Sequence, residues 1–165
     1  MTYTEAVDWL YAAVPNFQRD GGNRNYKISL ESPEALWNYL DRPSDGIPTI
    51  HIAGTNGKGS SAHLISAGLQ SMGCKVGVFS SPHLFNFRER AKIGTKMVPE
   101  SFVAQWVSQH RGEVEQKGNS FFELTLMLAM SWFEEQKVDW IILETGMGGR
   151  LDATTICTVS YTHLR

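Results

Sequence analysis

Thr49-Ile50-His51-Ile52-Ala53-Gly54-Thr55-Asn56-Gly57-Lys58-Gly59-Ser60 is the stretch whose reading decides the fold. It opens as a short β-branched strand, passes through a glycine-rich turn and enters a helical segment from about Ser60 to Met72, which Gly73 closes as its C′ residue. Glycines let successive backbone N–H groups face one anion without a Cβ in the way, and the helix that follows adds unpaired N–H groups and its positive dipole end. In that setting Lys58 can reach the outer phosphates of a nucleotide, and Ser60 can offer a hydroxyl to Mg²⁺. The motif is not a strict Walker A: its first glycine is spaced more tightly, and Gly59 stands where Ser or Thr normally follows the lysine.

Outward from this loop, strands alternate with helices. Lys75 to Phe79 reads as a second strand and Val138 to Glu144 as a third, almost wholly apolar, as buried parallel strands are. Ile156 to Val159 is read as the start of a fourth. Helical spacing marks Pro99 to Lys117, and Phe121 to Gln136 is helical but apolar nearly all round, hence sandwiched inside the protein. Before the first strand, Thr2 and Glu5 have capping-box spacing for a helix that Pro15 stops, residues 18–29 read as a loop, and Ser32-Pro33-Glu34 reads as a hydroxyl-capped helix start. This order predicts an α/β fold, a doubly wound parallel sheet with flanking helices, whose ligands sit beyond the carboxyl ends of the strands.

Composition bounds the function classes. At 165 residues, 42% hydrophobic and 19% charged, the chain has a one-domain length with enough apolar content for a core. A net charge of −2 excludes the basic stripe of a nucleic-acid or anionic-membrane binder. The apolar run Leu124 to Phe133 is too short to span a bilayer, no export signal opens the chain, and Cys74 and Cys157 form no CxxC pair. These features predict a cytoplasmic protein with reduced thiols and no membrane or nucleic-acid partner.

Two more loops leave strand ends. The first, Ser80-Ser81-Pro82-His83-Leu84 followed by Phe87-Arg88-Glu89-Arg90, presents hydroxyls, an imidazole and two arginines, each of which also reads as ordinary loop surface. The second begins at Glu144 and runs Thr145-Gly146-Met147-Gly148-Gly149-Arg150-Leu151-Asp152-Ala153-Thr154. A carboxylate ending a buried strand beside a phosphate loop is where an NTPase holds Mg²⁺. Ser120-Phe121-Phe122-Glu123 reads as an N-cap serine with a capping-box glutamate at the start of a core helix.

The GTNGK core resembles the Mur ligase superfamily, and its GKGS continuation, the SSPHL…ER segment and the ETGMGGRLDAT run resemble the folylpolyglutamate synthase/dihydrofolate synthase branch. The resemblance implies a P-loop-containing, Mur-ligase-like ATPase domain. Its ATP site would comprise Asn56, Gly57, Lys58, Gly59 and Ser60, with Lys58 catalytic. Ser81 and Glu144 would be magnesium ligands, and His83, Ser120, Phe121, Phe122, Glu123, Leu151, Asp152 and Ala153 would face the folate or dihydropteroate substrate. The implied reaction joins that substrate's carboxylate to L-glutamate at the expense of ATP, in a protein that is a monomer when complete.

Departures accompany the match. Residues before Asn38 lack the family's early substrate motif, Thr155 replaces its asparagine, and His163 is not in the context of the family's metal-binding histidine. The expectation is therefore the N-terminal part of the central domain, without the C-terminal domain, of doubtful activity alone. A Mur-type cell-wall ligase and a non-catalytic nucleotide-binding module are the alternatives.

Overall fold

The computed structural model describes residues 1–12, 30–146 and 152–157. Expectations placed on Pro15, residues 18–29, Leu151, residues 158–159 and His163 lie outside these. Among the described residues five helices and five strands follow one another: α1 (Tyr3–Ala12), α2 (Glu31–Tyr39), β1 (Thr49–Ile52), α3 (Lys58–Ser71), β2 (Val76–Phe79), β3 (Ala91–Ile93), β4 (Lys96–Met97), α4 (Glu100–Lys117), α5 (Phe121–Glu135) and β5 (Trp140–Glu144). No described helix is long and apolar enough to cross a membrane.

The strands form one sheet in the order β1-β5-β2-β3-β4. β5 lies between β1 and β2, parallel to both, with Ile52 beside Glu144 and Phe79 beside Leu143, so all three parallel strands end at one edge. The sheet is mixed rather than purely parallel. β3 runs antiparallel to β2, placing Ala91 beside Phe79, and β4 returns antiparallel to β3. This hairpin pairs the edge that β2 would otherwise expose.

Local chemistry accounts for most boundaries. Thr2 and Glu5 exchange side chain–backbone hydrogen bonds at the start of α1, a capping box. The C-terminal end of α3 is a Schellman motif: the Gly73 N–H donates to the Gln70 carbonyl and the Cys74 N–H to the Leu69 carbonyl, with Gly73 at φ +88°. The Ser32 cap is not made. Leu30 is the N-cap residue of α2, and the Ser32 hydroxyl instead donates to Glu123 Oε2 at 2.8 Å, because a buried carboxylate is the stronger acceptor. The fourth strand does not begin at Ile156, since Ala153–Cys157 is a 3₁₀ turn. Its cause is Asp152, whose carbonyl accepts the Thr155 N–H and whose carboxylate accepts the Thr154 N–H, pulling the chain into a turn.

The core sits around α5. Ten of its residues are buried, which fits a helix apolar on nearly every side. Phe133 of α5 lies on Gly77 of β2 so closely that a Cβ there would come 2.8 Å from the ring. On the other face of the sheet α3 covers Val76, Val78 and Ile142 through Ala62. Helices on both faces leave the strand ends as the open edge.

Candidate functional site

β1 feeds residues 53–57 directly into α3. Gly57 is the N-cap at φ +76°, a left-handed conformation that a residue with a Cβ adopts only with strain, and no side chain caps the helix. The first-turn N–H groups of α3 are therefore left for an incoming acceptor. α5 is different: its Ser120 hydroxyl accepts the Glu123 N–H. Lys58 is the first helical residue, two positions earlier than expected, and Ile52, Gly54, Asn56, Lys58, Ser61 and Leu64 are among the residues lining a cleft of about 520 Å³.

Glu144 ends β5 as a buried carboxylate beside this loop. A Cβ built on Gly59 would lie 3.5 Å from Glu144 Oε2, and the Ser81 N–H donates to the same oxygen at 3.2 Å. The Glu144 carboxylate thus lies beside the first turn of α3 and accepts a hydrogen bond from the loop after β2, so the three strand-end loops come close together. Gly59 accounts for the absence of a hydroxyl residue after Lys58: a side chain at this position points at Glu144. Alanine at 59 fits sterically, since 3.5 Å is ordinary van der Waals contact, and it favours the helix by roughly 0.5–1 kcal/mol. The added methyl nevertheless fills the space beside the carboxylate. Gly59→Ala is expected to raise the melting temperature slightly, by about 1–4 °C, while weakening metal–nucleotide binding about tenfold or more, as read by calorimetry. Unchanged affinity would show that this gap does not receive the ligand.

The loop after β2 is built around Glu89. Its carboxylate accepts the N–H groups of Leu84, Phe85 and Asn86, and these backbone bonds hold its pKa below the usual glutamate range. Asn86 caps the 3₁₀ turn Phe87–Arg90, with Glu89 as its capping-box partner. The Ser81–Pro82 peptide bond is cis. His83 projects from this loop, where Arg90 Nε donates to its Nδ1 at 2.8 Å and its Nε2 lies 3.1 Å from the Tyr11 hydroxyl. An acceptor at Nδ1 fixes the neutral imidazole with hydrogen on Nε2. Desolvation first, and the Arg90 charge second, lower the His83 pKa, which favours that neutral form.

Opposite stands an aromatic shelf at the start of α5. Phe121 stacks on Tyr11 with ring centroids 4.9 Å apart and carries the Arg90 guanidinium on its ring, also at 4.9 Å. Phe122 packs edge-on to Phe79 and against Gly146, where a Cβ would come 2.7 Å from the ring. Ser120 and Glu123 are occupied by capping: Glu123 Oε2 accepts from the Ser32 hydroxyl, the Asn119 amide and the Ser120 N–H. Asp152 stitches its own loop, accepting the Gly146 N–H at 2.8 Å and both the N–H and hydroxyl of Thr154. Ala153 follows it on the half-buried 3₁₀ turn.

The structure thus gathers Gly59, Ser81 and Glu144, and separately His83 and Phe121. The described residues contain no group of three or more His, Cys, Asp and Glu side chains able to hold a metal alone. Sequence reasoning missed Tyr11, which no local signal marks, and undervalued Arg90. The Asn86-x-x-Glu89 spacing did carry a signal, because a capped single turn sends Arg88 and Arg90 in different directions. Arg88 pairs with Glu100 at the surface, whereas Arg90 is buried.

Fold and site define an open α/β domain whose strand-end loops come together at the Glu144 carboxylate. No family model matches the chain. Two relatives are a probable bifunctional folylpolyglutamate synthase/dihydropteroate synthase of Haloferax volcanii, 34% identical over 94% of this chain and 18% of its own length, and the folylpolyglutamate synthase of Lacticaseibacillus casei, 31% identical over 96% and 37%. Three solved structures are similar. They are a folylpolyglutamate synthase of Thermotoga maritima (TM-score 0.81, 36% identity, 94% of this chain and 36% of that one), a folylpolyglutamate synthase complex with AMPPCP and folate (0.84, 28%, 99% and 42%), and a bifunctional folylpolyglutamate synthase/dihydrofolate synthase with Mn, AMPPNP and L-glutamate bound (0.78, 29%, 94% and 36%). Over nearly its whole length the chain is similar to members of the folylpolyglutamate synthase/dihydrofolate synthase family. It spans between 18% and 37% of the length of these two relatives.

Proposed function

We propose that this chain supplies the nucleotide- and acid-binding part of a Mur-type, cytoplasmic ATP-dependent ligase that joins the carboxylate of dihydropteroate or a folate to L-glutamate. The observation that carries the reading is that Gly59 and Ser81 both lie beside the Glu144 carboxylate. A loop that opens an uncapped helix and a strand-end carboxylate need each other only where an anion and a cation bind together. The nucleotides, folate and glutamate bound in the similar structures support the same assignment.

The chemistry follows from the electrophile. A carboxylate resists attack by an amine. In the proposed reaction its oxygen displaces ADP from the γ-phosphorus, and the glutamate nitrogen then attacks the acyl carbon. The C–O bond to phosphate breaks, and the nitrogen loses a proton. Lys58 and the first-turn N–H groups of α3 oppose the negative charge on the transferring group. The Glu144 carboxylate and the Ser81 hydroxyl are hard oxygen donors that fit Mg²⁺, which would offset phosphate charge when bound. Asn56, Gly57, Gly59 and Ser60 shape the phosphate loop. The acid would lie beside Phe121, Phe122 and His83, with Ser120 and Glu123 holding the start of α5 in place and Asp152 holding the loop that follows β5.

Calorimetry tests both halves on this chain. Mg²⁺-dependent binding of AMPPNP, and binding of dihydropteroate or tetrahydrofolate to the nucleotide-loaded protein, are the expected results. Nucleotide binding indifferent to Mg²⁺, or no binding of either pteridine, would overturn the reading.

A further inference from the structure

We propose that Arg90 is the residue that binds the carboxylate of the acid substrate, an assignment that rests on the function proposed above. Arg90 is only 8% exposed, yet no carboxylate pairs with it among the described residues, whose ion pairs are Arg42–Asp45 and Arg88–Glu100. A nearly buried guanidinium without an anion is costly in general unless its remaining donors reach water or a ligand, and here those donors are the terminal nitrogens. Its neighbours orient it instead of neutralising it. One face lies on Phe121, and Nε donates to the neutral His83 ring, itself held by the Tyr11 hydroxyl.

Those contacts use one face and one nitrogen. The two terminal nitrogens have no partner among the described residues and are not sealed from solvent. They form the edge that grips a carboxylate through two parallel hydrogen bonds. The backbone ties Arg90 to the loop that carries Ser81. The Arg90 carbonyl accepts the Ser80 N–H at 3.0 Å, one residue before Ser81, which touches Glu144. Tyr11 and the guanidinium already cover the Phe121 ring, so what Arg90 offers a ligand is its terminal edge, which is complementary to a carboxylate. His83 is then a positioning residue: it turns Nε inward and the terminal pair outward.

The test compares dihydropteroate with its carboxamide, bound to protein loaded with Mg-AMPPNP and measured by calorimetry. Wild type is expected to favour the acid by about tenfold or more, and Arg90→Gln to erase that preference by weakening the acid alone. Arg90→Lys, which keeps the charge but not the fork, should recover part of it. Affinity for AMPPNP should be unchanged in both. A preference retained in Arg90→Gln, or equal weakening of acid and amide, would overturn the assignment. If Arg90→Gln does not fold, Arg90→Lys decides: an acid-to-amide ratio equal to wild type overturns the fork. Wild type binding acid and amide equally removes Arg90's role while leaving the substrate class intact. Wild type binding neither, with AMPPNP still bound, removes the substrate class itself and this assignment with it.

Discussion

Lys58→Ala is expected to lower affinity for Mg-AMPPNP by roughly 10- to 150-fold, the loss of about 1.5–3 kcal/mol that follows removal of a hydrogen bond to a charged group. Lys58 is the residue at which the glycine turn becomes α3, and no ion pair with it occurs among the described residues. Its ammonium is therefore not committed to holding the fold. The thermal midpoint of the variant should stay within a degree or two of the parent. Equal nucleotide affinity in the two proteins would remove Lys58 from the phosphate site. A large fall in midpoint would assign it to the fold instead.

The second large effect is structural. Gly77→Ala places a methyl 2.8 Å from both Cγ and Cδ1 of Phe133, well inside contact distance. Neither partner has room to withdraw: β2 is hydrogen-bonded on both sides, to β5 and to β3, and Phe133 is fully buried in α5. Overpacking of this kind costs about 1–3 kcal/mol, which for a domain of this size lowers the melting temperature by roughly 2–12 °C. Combining it with Phe133→Leu should cost less than the two single changes added together, because the smaller side chain vacates the clash. A midpoint within a degree of the parent for Gly77→Ala alone would show that the sheet and α5 separate more easily than their packing suggests.

How much was legible in the sequence depended on the range of the interaction that decided each feature. The strand–loop–helix unit around Lys58, the capping box at Thr2 and the glycine stop at Gly73 are fixed by residues within a turn of one another, and each was readable. The hairpin of β3 and β4 was not: strands of three and two residues carry no alternation to detect, and they exist because β2 offers them an edge. Ser32 looked like a helix cap until a carboxylate 91 positions away claimed its hydroxyl. Asp152 carries a structural task that the sequence did not show: its carboxylate accepts the Gly146 N–H and the Thr154 N–H and hydroxyl, holding its own turn. Arg90 was invisible as a binding group for the same reason. Sequence shows that a charge exists, but only packing shows that it is buried and has no counter-charge among the described residues.

The Glu123 carboxylate has a mechanical consequence. Because one oxygen holds Ser32 of α2, Asn119 and the Ser120 amide together, α2 and the first turn of α5 are clamped into a single lever. Phe121 and Phe122 ride on the end of that lever. A displacement of α2 is therefore expected to reach the aromatic shelf through this one carboxylate, by a route that does not pass through the sheet.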